Sequence, residues 1–132
     1  KKKKAALLKR FFNYYVFRYK NRTLIKKRGE SDVWAGLVDF YLEEKTKKIK
    51  EKNKINNTVK KLIAKKYSIT FFDAKTKLSH QEIFISFIEI KLFNSSVFKT
   101  IEKNLDLLSL NKKELNKLAK PKVINDYLKK IS

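Results

Sequence analysis

Ile83-Phe84-Ile85-Ser86-Phe87-Ile88-Glu89-Ile90-Lys91-Leu92-Phe93 is the stretch whose reading decides the fold. Apolar side chains occupy odd and even positions alike, and successive side chains of a strand point to opposite faces. A strand with no solvent face belongs in the middle of a sheet. Both of its faces then need covers, and segments of helical period supply them.

Working outward, Ser68 to Asp73 has strand composition, and Ala74 to Lys77 reads as a basic polar connection. Val59, Leu62, Ile63 and Tyr67 recur at helical spacing with Lys60, Lys61 and Lys65 opposite, which predicts an amphipathic helix capped at Asn56 or Asn57. Near the start, Phe11 to Tyr19 predicts a strand, Lys20-Asn21-Arg22 a turn, and Thr23 to Lys27 the returning strand. Arg28 to Asp32 is a polar loop, Gly36 permits a tight bend, and Leu37 to Leu42 predicts another strand. Lys45 to Lys54 is almost entirely charged and has too little apolar surface to offset the entropy of ordering, so about 44–55 is expected to form a mobile loop.

Downstream, Val97 to Leu108 fits neither period cleanly. Asn111 can cap a helix whose Glu114 reaches back, with Leu110 and Leu115 as a hydrophobic staple. Lys117 to Lys120 closes that helix, and Pro121 is expected to be the first residue of the last one, with Val123, Ile124, Tyr127, Leu128 and Ile131 as its buried stripe. The expected architecture is α+β, an α/β/α sandwich around a mixed sheet in a single domain.

A length of 132 residues suffices for one compact domain. The chain opens on Lys1 and contains no methionine, so it is expected to be a piece of a longer polypeptide, with residues 1–10 a basic linker and 11–132 the domain. The absence of cysteine excludes a disulfide framework, a thiolate-held zinc and an iron-sulfur cluster within these boundaries. No apolar run approaches the length that spans a bilayer, so no membrane partner is expected and a cytosolic location fits. Thirty-four basic residues against 13 acidic ones leave a net charge of +21, a field that attracts polyanions such as nucleic acid. Only four of the basic residues are arginine, and lysine, asparagine, isoleucine and phenylalanine are all abundant, as A/T-biased coding produces. A solvated lysine surface is therefore the competing reading of the charge.

A single histidine, His80, excludes a paired-histidine metal site, and a cysteine nucleophile is excluded as well. Asp39 with Glu43 and Glu44 is the nearest grouping of carboxylates, and Asp39 reads as a solvent-face or core-edge residue. Ser79 and His80 make no catalytic dyad, because adjacent side chains on an extended chain diverge. Phe11, Phe12, Tyr14, Tyr15, Phe17 and Tyr19 read as core rather than as a base-stacking platform, and Trp34 as a packing anchor under the Gly36 bend. No catalytic residue and no metal ligand is expected in this chain.

The succession FNYYVF (12–17 with Phe12 leading), WAGLVDF (34–40), LSH (78–80) and ELNKLAKP (114–121), closed by a final helix, resembles the C-terminal domain of MutY-type adenine DNA glycosylases, which has the Nudix fold of the MutT class. The resemblance runs from about Phe11 to Leu128 and implies a function: contact with duplex DNA carrying 8-oxoguanine opposite adenine, in base excision repair. It implies as partner an N-terminal glycosylase domain that holds an iron-sulfur cluster and the catalytic carboxylates, and it implies a monomer in the bacterial cytoplasm with the chromosome. It also implies that Leu78, Ser79 and His80 stand where the family carries a lesion-reading Phe-Ser-His type tripeptide. Guanine presents an acceptor at N7, whereas the 8-oxo form carries a hydrogen there. A serine hydroxyl such as that of Ser79 can accept it. Leu78 in place of phenylalanine makes that position purely steric, His80 contacts the backbone or braces the loop, and Lys75 and Lys77 hold flanking phosphates. The Nudix hydrolase signature places glutamates on a helix around magnesium, but Asn57 to Lys66 has no acidic residue, so nucleotide hydrolysis is not expected. The alternative function is a free-standing basic RNA-binding or ribosome-associated module.

Overall fold

The computed structural model describes residues 8–26, 34, 36–46, 55–63 and 67–131. Among these, six strands and four helices follow in the order β1 (Leu8–Tyr19), β2 (Arg22–Lys26), β3 (Tyr41–Lys45), α1 (Asn57–Ile63), β4 (Tyr67–Leu78), β5 (Gln81–Leu92), α2 (Ser95–Asn104), β6 (Leu107–Asn111), α3 (Lys112–Lys117) and α4 (Lys122–Ile131). The fold is α+β, with a mixed six-stranded sheet in one domain.

β5 lies in the interior of the sheet, as its two-faced apolar pattern requires. It pairs antiparallel with β4 and parallel with β1 in the order β4-β5-β1-β2-β6. The other edge of β1 is shared: β3 pairs with Phe11 to Tyr15, and β2 pairs with Arg18 and Tyr19. The two faces carry separate cores. On one, Phe12, Tyr14, Val16, Ile83, Ile85 and Phe87 pack with Leu115 of α3 and with Ile124 and Tyr127 of α4. On the other, Tyr15, Phe17, Ile88, Ile90 and Leu92 pack with Val59 and Ile63 of α1 and with Phe98 and Ile101 of α2. The expected sandwich is present. Each buried large apolar side chain contributes about 1.5–3 kcal/mol, and the Tyr127 ring stacked 4.1 Å from Phe87 locks α4 onto the sheet.

The β1 aromatics are core, as expected: Phe12, Tyr14, Tyr15 and Phe17 are at most 1% exposed. Trp34 packs edge-on to Phe12 at 6.4 Å. Asp39 is buried and accepts a hydrogen bond from its neighbour Phe40 N–H, at the edge of the core. Asn56 is the cap of α1, its side chain accepting from Val59 N–H at 2.8 Å. Asn111 and Glu114 close the expected capping box on α3.

Several boundaries differ from expectation. β1 starts at Leu8 rather than Phe11, because Leu8 to Arg10 pair with Gln81 to Ile83; residues 1–7 lie outside the described residues. The strand expected at Leu37 to Leu42 is shifted: Val38 N–H donates to Ala119 O, Asp39 O accepts from Lys26 N–H, and pairing begins only at Tyr41. Glu44 and Lys45, expected in a loop, are in β3. Arg10 donates to both carboxylate oxygens of Glu44, at 2.6 and 2.8 Å, and Glu43 accepts from Tyr15 Oη and from Asn56 Nδ2. Pairing with β1 thus overrides the low strand propensity of charged residues. Of the rest of the expected mobile loop, Thr46 and Ile55 are described and 47–54 lies outside the described residues.

Tyr67 opens β4 instead of ending α1, and Pro121 stands just before α4, its carbonyl accepting from Asn125 N–H. The stretch that fitted neither period is α2 followed by β6, with Asn94 capping α2 through Ser96 and Val97 N–H. A short helix and a short strand averaged into one window hide both periods.

Candidate nucleic-acid interface

The β4–β5 ladder runs to Leu78↔Gln81, so Ser79 and His80 alone form the turn. Two-residue hairpin loops need a positive φ at one or both central positions. Ser79 adopts it, at φ +41°. Leu8 N–H donates to His80 O at 3.0 Å and ties the turn to β1 as well. The tip is therefore braced on two strands, and the side chains of Ser79 and His80 are exposed. No described residue hydrogen-bonds the Ser79 hydroxyl.

Leu78 is half-buried against the hydrophobic core under α4, which anchors the turn from beneath. Lys75 and Lys77 are strand residues, not members of a polar connection. Ala74 to Leu78 pair with Ile85 to Gln81, and the lysines stayed inconspicuous as strand residues because their own composition is polar. The register puts both on the sheet face opposite Leu78. Lys77 faces Glu82, and Lys9 of β1 faces the same glutamate from the other side. Lys75 Nζ lies 3.7 Å from Glu82 and 5.9 Å over the Phe84 ring, which itself stacks on Phe11 at 5.2 Å. Three lysines, Lys9, Lys75 and Lys77, thus surround one carboxylate beside the turn. Lys9 was not legible as part of this group, since only the parallel β1–β5 register brings it there.

Deeper on the same face lies a polar row. Ser86 Oγ donates to Asp73 at 2.9 Å, and Asn13 Nδ2 is buried without a partner among the described residues. Tyr15 Oη accepts from Asn56 N–H and donates to Glu43. Burial, with the Glu43 carboxylate beside it, pushes the Tyr15 phenol well above its ordinary value. α1 begins here and has no acidic residue; Lys60 and Lys61 are exposed on it. Among the described residues, no three His, Asp or Glu side chains converge as metal ligands would. The arrangement offers a neutral acceptor-donor at a rigid tip flanked by cations, which suits binding a polyanion and reading one polar edge.

No described helix is long and apolar enough to cross a membrane. A family model described as a NUDIX domain matches residues 13–130. No curated protein matches the chain.

Proposed function

This chain belongs to the NUDIX domain family, and we propose that it serves as the lesion-reading domain of a MutY-type adenine DNA glycosylase. In this reading it binds duplex DNA containing 8-oxoguanine opposite adenine and cleaves no bond itself. The observation that carries the reading is the exposed Ser79 hydroxyl, free of partners among the described residues, at a tip braced by β1 and β5. Its oxygen accepts the N7 hydrogen that oxidation places on guanine. His80 N–H and C=O groups of the turn stand beside the same base edge, with the carbonyl engaged by Leu8. Lys75, Lys77 and Lys9 hold phosphates on either side, which positions the tip without specifying sequence.

One further feature supports a binding role. The helix that would carry magnesium-binding glutamates in a hydrolase of the family is Asn57–Ile63 here, and it carries lysines.

The test is equilibrium binding of the chain to duplexes that differ only in 8-oxoguanine versus guanine opposite adenine. Wild type prefers the lesion, and Ser79→Ala reduces that preference by about two- to tenfold, the worth of one hydrogen bond. Equal preference in the variant and wild type would sink the reading.

A further inference from the structure

The end of the sheet opposite the Ser79 turn carries a second concentration of cations. β1 is 12 residues long, so its two ends lie about 35 Å apart. Leu8 touches the turn, while Arg18 and Lys20 line a cleft of about 520 Å³ between the sheet and helices α3 and α4. Lys112 and Lys129 face the same cleft, over a floor of Leu115, Leu128 and Ile131. A second cavity of about 440 Å³ adjoins it, sharing Arg18, Lys20 and Ile131 and adding Tyr19, Lys91 and Phe93. Among the described residues, no carboxylate lines either cavity.

The groups differ in availability. Lys120 is engaged: its Nζ donates to Leu115 O at 2.8 Å and Leu118 O at 2.6 Å, closing the end of α3, and burial lowers its pKa. Arg18 is half engaged. Its Nη1 meets Glu89, while its buried Nε has no acceptor among the described residues. Lys20, Lys91 and Lys112 are exposed, Lys20 with its Nζ 5.4 Å over the Tyr19 ring; Lys129 is exposed as well and has an interaction of its own. Phe93 is the outlier among the phenylalanines, 64% exposed where Phe12, Phe17, Phe40 and Phe87 are at most 1% exposed. Packing gives no reason for that ring, yet it borders a groove of cations. Asn21, Asn116 and Asn125 add amides that both donate and accept.

We infer that this double cleft binds a short single strand of nucleic acid, its phosphates along Arg18, Lys20, Lys112 and Lys129 and a base stacked on Phe93. A cation-lined groove with an exposed aromatic ring is the arrangement that holds single strands, because every base has a face to stack and every nucleotide a charge to neutralise. A duplex offers phosphates but keeps its bases stacked on one another. The site is separate from the Ser79 turn and does not depend on the function proposed for it.

The experiment is fluorescence anisotropy of the 132-residue chain with a labelled single-stranded 12-mer, competed by unlabelled DNA strand, RNA strand, the duplex and a poly-glutamate peptide. Competition by DNA and RNA strands distinguishes the two sources of the same chemistry, and either supports the site. Phe93→Ala is expected to weaken binding about 5- to 150-fold, the worth of one stacked base. Lys20→Ala with Lys129→Ala is expected to lower the salt slope by roughly 1.4. The Lys60→Ala, Lys61→Ala pair on α1 and Ser79→Ala are expected to change strand binding by less than about twofold. An unchanged affinity in Phe93→Ala would overturn the inference. So would an equal loss in the α1 pair, a loss in Ser79→Ala, or equal competition by the duplex or by poly-glutamate.

Discussion

Arg18 Nη1 lies 3.0 Å from Glu89 Oε2 across the parallel β1–β5 pair, with the arginine side chain 22% exposed and the carboxylate 4%. Tyr127 Oη donates to the same oxygen at 3.4 Å. Removing either charged partner has unequal consequences, because only one of the two has water to fall back on. Arg18→Ala strands a buried carboxylate and is expected to cost about 3 kcal/mol. Glu89→Gln keeps an acceptor and is expected to cost about 1–2 kcal/mol. Urea midpoints of the single variants and of the double variant check this. The double variant recovers part of the Arg18→Ala loss, since it no longer buries an unpaired charge.

Alkaline stability follows from two buried phenols. Burial is the main cause that raises Tyr15 and Tyr127, with Glu43 beside one and Glu89 beside the other. A phenol whose folded pKa exceeds its unfolded value favours the protonated folded state. Its contribution is full below the unfolded value of about 10 and is lost as pH rises above it. Urea midpoints are expected to hold to about pH 9 and fall through pH 10–12. Tyr15→Phe and Tyr127→Phe are each expected to flatten that fall, and an unchanged slope in both would refute the assignment.

Ser79 carries backbone strain at φ +41°. Glycine meets no penalty there, though it loosens the unfolded chain. Ser79→Gly is expected to raise stability by about 0.5–1 kcal/mol while reducing the lesion preference proposed above by about the same two- to tenfold as Ser79→Ala. A melting temperature unchanged or lowered would show that the turn is relaxed with serine.

Asn94 caps α2 through two backbone N–H groups, and Asn111 caps α3 inside a reciprocal box with Glu114. Alanine at either position is expected to cost about 1 kcal/mol. Glu114→Ala is expected to destabilise too, and with Asn111→Ala to be less than additive, because the two side chains close one box.

Glu82 sits among Lys9, Lys75 and Lys77. Glu82→Gln is expected to strengthen duplex binding about twofold by releasing Lys75 from an exposed ion pair. Lys77→Ala is expected to lower the salt slope by about 0.9 without changing lesion preference. Titrations between 50 and 200 mM salt read both.

Much of the sandwich is legible in residues close together in the chain. The two-faced run of Ile83 to Leu92 implies a central strand, and the Asn111–Glu114 spacing implies a cap. The Leu78-Ser79-His80 segment stands out as a motif, but not as a two-residue turn at the end of a long hairpin, because Lys75 and Lys77 look like loop residues until β5 pairs with them. Glu43 to Lys45 fail as a strand by propensity for the same reason, and succeed only with Arg10, Tyr15 and Asn56 at hand. The charge of +21 is evident at once, yet the gathering of Lys9, Lys75 and Lys77 near one end of β1 and of Arg18, Lys20, Lys112 and Lys129 near the other is not.

The sequence by itself determined that this chain forms a covered mixed sheet with a basic surface, since apolar period, caps and charge are properties of local stretches. Only the tertiary structure decided that β1 runs parallel to β5, and with it that Arg18 meets Glu89, that Lys9 joins Lys75 and Lys77, and that Phe93 borders a cationic cleft. Register between distant strands is fixed by many main-chain hydrogen bonds and by the packing of two faces at once, and no short window of residues contains that information.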